Sequence, residues 1–126
     1  MKLFKLSLFL CILFTSAYSF SQNTNKSKAS LPIDKKTNCF IRYYYYPNLE
    51  AYFDNLKMVY YYFEDGDWQT AEELPTNYGG YSLFNKTKVI ITDFDEENPQ
   101  QFLKIHKKKY PYNAKGRFSK ANTSSN

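Results

Sequence analysis

Phe40 to Trp68, FIRYYYYPNLEAYFDNLKMVYYYFEDGDW, is the stretch that decides the fold. It reads as three consecutive β-strands leading into a tight turn and a tryptophan. Cys39 to Tyr46 (CFIRYYYY) has high β-propensity, and Pro47-Asn48 ends the run because proline has no N–H to give to a ladder. Leu49 to Asp54 forms a second short strand, with Asn55-Leu56 as the bend. Lys57 to Glu64 (KMVYYYFE) is the third strand, and Asp65-Gly66-Asp67 supplies residues that tolerate positive φ in a hairpin turn. Trp68 to Ala71 returns as the fourth.

Strand side chains alternate between two faces, so each strand divides into an inner and an outer set. Cys39, Ile41, Tyr43 and Tyr45 make the inner set of the first strand, Leu49, Ala51 and Phe53 of the second, and Val59, Tyr61 and Phe63 of the third. The opposite sides carry Arg42, Tyr44 and Tyr46, then Glu50, Tyr52 and Asp54, then Met58, Tyr60, Tyr62 and Glu64: a second aromatic face edged with charge. Aromatic residues are 20% of the chain against 43% for all hydrophobic residues, so the core is built largely from rings, which favour sheets.

Downstream, Glu72 to Thr76 is a turn or short crossover, and Asn77 to Tyr81 (NYGGY) a ring-rich loop. Lys88 to Thr92 (KVIIT) is a further strand, continuous enough in apolar residues to be buried on both faces. Asn98-Pro99 marks a helix start, with Asn as cap and Pro at the first helical position. The helix runs from Gln100 to Lys109 and stops at Pro111. Phe102, Ile105, His106 and Tyr110 share one side of it, suited to lie across the sheet and close the core. The expected architecture is α+β: one small twisted antiparallel sheet of about four to six strands with one C-terminal helix.

Working outward, Lys2 and Lys5 precede the apolar run Leu6 to Phe14, which is short for a membrane span and is followed by small and polar residues. Residues 1–21 therefore read as a secretory signal peptide, with cleavage after Ser21. Cys11 follows Leu10, where a lipid-acceptor cysteine needs a small neighbour. Removing the signal leaves Cys39 as the only cysteine, so no intramolecular disulfide staples the mature chain. Residues 22–38 read as a flexible linker, 39–112 as the Tyr-rich β domain with its helix, and 113–126 as a disordered basic tail. The expected location is exported, periplasmic or extracellular.

The formal charge of +5 is unevenly distributed. Residues 22–38 carry four lysines against Asp34, residues 39–103 four bases against eleven acids, and residues 104–126 seven bases and no acid. An acidic domain between basic ends does not suit nucleic acid, because a phosphate backbone needs positive charge along the same groove as the stacking rings. The basic tail suits peripheral contact with an anionic envelope surface.

Constellations that carry chemistry are weak. Asp93, Asp95 and Glu97 alternate as the first ligands of an EF-hand do, but Asn98 and Lys104 stand where that loop needs glycine and a bidentate glutamate. The segment reads as a solvated acidic turn before a helix N-terminus. His106 and Cys39 offer neither zinc spacing nor a nucleophile motif, and no cofactor, metal or catalytic residue is assigned. What remains is the outer aromatic face: Tyr44, Tyr46, Tyr52, Tyr60 and Tyr62, with Trp68. Tyrosine presents a flat apolar surface and a hydroxyl, which suits sugar rings or extended peptide. The competing use is stability, since cross-strand aromatic pairs contribute about 0.2–1 kcal/mol each to a sheet.

At Tyr45 to Pro47, Tyr52-Phe53-Asp54, Tyr60-Tyr61-Tyr62, Gly66 with Trp68, and Leu74-Pro75, the chain resembles small, uncharacterised exported proteins of bacterial envelopes. The resemblance covers most of the mature domain and implies an exported β-rich domain of unknown function; no catalytic residues come with it. The expected role is a non-catalytic module binding cell-envelope glycan or peptide through the aromatic face. The alternative is a structural or assembly protein whose aromatic face meets another protein. The oligomeric state is left open.

Overall fold

A computed structural model describes residues 26–116. The signal peptide expected at 1–21 and most of the expected tail lie outside the described residues. Five strands form one antiparallel sheet: β1 (Tyr43–Tyr46), β2 (Ala51–Asp54), β3 (Val59–Glu64), β4 (Asp67–Ala71) and β5 (Val89–Ile90), in the order β4-β3-β2-β1-β5. A 3-10 turn, Pro99–Phe102, runs into the single α-helix α1 (Leu103–Lys109). The architecture is the expected small α+β domain.

β3 and β4 meet through a two-residue turn in which Asp65 and Gly66 both take positive φ, at 53° and 80°. This backbone matches the twist of a hairpin and explains why Asp-Gly sits there. The register places Tyr45 opposite Tyr52, Tyr52 opposite Tyr61, and Tyr43 opposite Asp54. One face therefore gathers Tyr43, Tyr45, Tyr52, Asp54, Val59 and Tyr61. The other gathers Tyr44, Tyr46, Ala51, Phe53, Tyr60 and Tyr62.

This corrects the expected faces of β2. Alternation expects Glu50, Tyr52 and Asp54 on the outer side, yet Tyr52 and Asp54 are 0% exposed on the core face, while Phe53 lies on the opposite side with Tyr60. The reason is that Leu49 and Glu50 belong to the turn after β1, where Glu50 takes φ 50°, so strand alternation cannot be carried through them. Asp54 is accommodated by Arg42, itself 2% exposed, which holds it through Nε at 3.1 Å and Nη2 at 2.8 Å.

The core is a packed set of rings. Tyr43 meets Tyr52 and Tyr61 edge-on, at centroid distances of 6.5 and 6.3 Å, and stacks on Phe94 at 6.0 Å. Offset and edge-on pairs such as these place the positive ring edge against the negative ring face. The segment from Phe94 through α1 covers this face, contributing Phe94, Leu103, Tyr110 and the fully buried His106.

Four further expectations are modified. Asn98 takes φ 59° and makes no side-chain cap bond, and the helical segment opens as a 3-10 turn behind the buried Pro99. Ile105, expected on the packed side, is 56% exposed, whereas Phe102, His106 and Tyr110 do pack or partly bury. The Lys88 to Thr92 run is a two-residue edge strand with Ile90 47% exposed, because β1 is its only strand partner in the sheet. Part of the stretch expected as linker is built into the domain. Lys28–Ser30 forms a 3-10 turn capped by Ser27, Leu31 is buried, and Ile33 bridges Phe40.

Candidate functional site

The acidic segment after β5 is a clasp rather than a solvated turn. Asp95 accepts the Phe40 N–H at 2.7 Å and the Lys28 ammonium at 3.1 Å. Glu97 accepts Arg42 Nη2 at 2.8 Å and Lys57 Nζ at 2.6 Å. These partners come from three separate parts of the chain, so the segment ties the N-terminal turn, the residues leading into β1 and the β2–β3 turn to the helix entry. Lys57 first, with help from Arg42 and against partial burial, holds the Glu97 carboxyl below its ordinary range. Among the described residues, no group of three or more His, Cys, Asp or Glu side chains is placed to hold a metal ion.

A second row joins Tyr52, His106 and Asp93. The Tyr52 hydroxyl lies 2.7 Å from His106 Nδ1, and His106 Nε2 lies 3.0 Å from Asp93 Oδ1. An ionised carboxylate only accepts, so Nε2 carries the proton toward Asp93; in the neutral ring Nδ1 then accepts from the tyrosine hydroxyl. The His106 bond, against partial burial, holds Asp93 below the ordinary carboxylate range. The order acid, imidazole, hydroxyl is that of a hydrolase triad, but Tyr52 and His106 are both buried in the core. The row fastens α1 to β2.

The expected site residues divide between the two faces. Tyr52 is in the core, and Trp68 lies on the core side of β4, edge-on to Phe63 at 5.7 Å. Tyr44, Tyr46, Tyr60 and Tyr62 do share the opposite face. Tyr62 is closed over by the loop after β4: Tyr78 meets it edge-on at 5.4 Å, and the Tyr78 hydroxyl donates to the Phe63 carbonyl at 3.3 Å. Tyr46, Tyr60 and Phe53 form a half-buried strip, with Tyr46–Tyr60 centroids 6.0 Å apart and Phe53–Tyr60 4.8 Å apart.

Beside that strip the same loop leaves a cavity of about 430 Å³. Tyr46 and Tyr60 line it on the sheet side, Leu49 and Leu74 add apolar walls, and Asn85, Lys86 and Lys88 come from the loop. The loop is held by the Asn85 amide, which donates to the Gly80 carbonyl at 2.8 Å. Gly79 takes φ 73°, a conformation that favours glycine, and a Cβ there would displace only the end of the flexible Leu49 side chain. The Lys88 ammonium sits 4.1 Å over the centroid of Tyr44, a cation–π contact that draws positive charge onto the aromatic strip. Burial, then the neighbouring Tyr60, pushes the Tyr46 phenol up to about 12, so it stays a neutral hydroxyl at physiological pH.

No protein family, curated protein or solved structure matches the chain. The site is therefore judged on its own chemistry. It offers two aromatic planes, a neutral phenol, an amide and two ammonium groups around one concavity. Leu49, Leu74, Asn85, Lys86 and Lys88 were not among the expected site residues. For the two lysines the sequence offers only their closeness, Lys86-Thr87-Lys88, just before an apolar strand: Lys86 closes the turn at 83–86 and Lys88 leads into β5.

Proposed function

We propose that this chain is an exported, non-catalytic module of the cell envelope that binds an envelope glycan through the aromatic sheet face. The observation that carries the proposal is the cavity beside Tyr46 and Tyr60, with Lys86 and Lys88 at its wall. A sugar ring places its C–H face on a tyrosine plane, and lysines at the wall pair with the carboxylate or phosphate substituents of an acidic polymer. Export rests on the pattern of residues 1–21, and the resemblance to small envelope proteins agrees with it. The basic C-terminal stretch adds attraction to the same anionic surface.

The test is retention of the processed chain, beginning at Gln22, on insoluble cell-wall polymers, compared with a Tyr44→Ala, Lys86→Ala, Lys88→Ala variant shown by circular dichroism to fold. Retention by the native chain and its loss in the variant is expected. Equal retention by both would remove the aromatic face from the role.

A second reading is an assembly protein, favoured by one feature. The loop beside the strip exposes Tyr81 at 95% and Leu83 at 78%, large apolar groups of the kind that protein interfaces bury. Under that reading, the native chain ignores glycans, and replacing Tyr81 and Leu83 by serine abolishes a stable complex in envelope extracts.

A further inference from the structure

We infer that the cleft beside the β1–β2 turn is a second site, separate from the lysine-lined cavity, and that it takes a neutral pyranose ring. The inference does not depend on the sheet face binding anything. The cleft encloses about 480 Å³, within the range of roughly 300–1,000 Å³ usual for small-molecule pockets. Its walls come from three places: the turn after β1, the Tyr78-Gly79 loop, and the chain leaving α1 through Tyr110 to Tyr112.

Two observations meet there. First, Tyr45 lines the cleft and is 0% exposed, and its hydroxyl has no hydrogen-bond partner among the described residues. The other two fully buried tyrosines have theirs, Tyr43 on the Glu96 carbonyl at 2.7 Å and Tyr52 on His106. An unmade bond of this kind is a standing cost to the fold, and a ligand hydroxyl would recover it. Burial, and then the nearby Glu50 carboxylate, pushes the Tyr45 phenol well above its ordinary value, so it is present as a donor.

Second, Glu50 and Lys107 both line the cleft and pair across it at 2.6 Å. Together they offer acceptors and donors at no net charge, which suits adjacent sugar hydroxyls and gives an anion nothing extra. This is the contrast with the other cavity, whose lysines have no acid among its lining residues. Tyr78, Tyr110 and Tyr112 supply the planes against which the C–H face of a pyranose packs, and Tyr112 is 65% exposed at the mouth. The Tyr45 hydroxyl is closed off in the free protein, so the ligand reaches it as side chains at the wall of the cleft shift.

The experiment is saturation-transfer NMR and calorimetric titration of the processed chain with methyl glycosides of glucose, mannose and N-acetylglucosamine, with glucuronate as the anionic control. Tyr45→Phe removes only the unpartnered oxygen and leaves the ring, so it folds at least as well as the native chain. At least one neutral glycoside is expected to bind with a Kd on the order of 1 mM, more tightly than glucuronate. Tyr45→Phe and Glu50→Gln should each weaken it about tenfold, while the Tyr44→Ala, Lys86→Ala, Lys88→Ala variant should bind it unchanged. The inference is overturned if no neutral glycoside binds, if glucuronate binds as tightly, or if Tyr45→Phe binds with native affinity. Loss of binding in the sheet-face variant would move the sugar to the other cavity and overturn it as well. Polymer retention lost with monosaccharide binding kept separates failure of the sheet-face proposal from failure of this one.

Discussion

Replacing Arg42 by methionine is the sharpest test of how this disulfide-free domain is held together. Arg42 donates to Asp54 through Nε and Nη2, to Glu97 through Nη2 at 2.8 Å, and to the Asp95 carbonyl through Nη1 at 3.3 Å. Asp54 also accepts the N–H groups of Leu56 at 2.8 Å and Lys57 at 3.1 Å, closing the turn before β3. Methionine keeps much of the volume and strands a carboxylate that is 0% exposed. Removing one partner of a buried pair costs about 3–5 kcal/mol, a fifth or more of the roughly 5–15 kcal/mol that stabilises a typical domain. Asparagine at position 54 is the informative rescue. It keeps an oxygen for the two turn amides and carries no charge, so Arg42→Met with Asp54→Asn should return to within about 1–2 kcal/mol of the native chain. Urea unfolding followed by Trp68 fluorescence gives both numbers, and at about 1 kcal/mol per molar the single variant should lose about 3 M in its midpoint. A single variant within about 1 kcal/mol of native, or a double variant worse than the single, would refute the assignment of Asp54 as a buried charge held by Arg42.

Two further outcomes are expected. Tyr45 and Tyr52 face each other across β1 and β2, yet removing their hydroxyls should act in opposite directions. Tyr52→Phe leaves His106 Nδ1 buried without its partner and lowers stability by about 1–3 kcal/mol, whereas Tyr45→Phe is neutral or stabilising in thermal melts; equal losses would contradict the hydrogen-bond account. Burial raises the folded-state phenols of Tyr43, Tyr45 and Tyr52 well above the ordinary value of 10, so their contribution is complete below pH 10 and is lost as pH rises beyond it. Phenolate absorbance near 295 nm should therefore show a block of tyrosines ionising together with the loss of far-ultraviolet circular dichroism, and smooth titration of all tyrosines in a folded chain would speak against this core.

How much of this was legible in the sequence depends on whether the controlling interaction is local. The β3–β4 hairpin was readable because Asp65-Gly66 dictates its own turn. All five strands, the last shorter than its apolar run, the helix and the packing of His106 followed from β-propensity, proline positions and helical spacing. The faces of β2 were not readable, because they depend on how many residues the preceding turn consumes. Hydrophobicity favoured Phe53 over Asp54 for the core, while Arg42 reverses the preference with a bond made only in the fold. The acidic run at 93–97 looked solvated for the same reason. Its partners Lys28, Arg42 and Lys57 are distant in sequence, and no spacing rule joins them.

The same distinction sorts the tyrosines. A tyrosine core is costlier to build than a phenylalanine core, because each hydroxyl carried inward must find a partner. Here those partners are the devices that hold the covering layer on the sheet: Tyr43 reaches the Glu96 carbonyl, Tyr52 reaches His106 on α1, and Tyr78 ties its loop to the backbone of β3. A hydroxyl so engaged is accounted for by the fold and is not available to a ligand, whatever face its ring presents. Tyr52 fails by that criterion, despite its place in the most aromatic part of the sequence. Tyr45 passes, because the fold buries its hydroxyl and leaves it without a partner among the described residues, at the wall of a cleft lined by three further tyrosines and an ion pair. Stability alone would have been better served there by phenylalanine, so the oxygen at position 45 is the atom whose retention a ligand explains and packing does not.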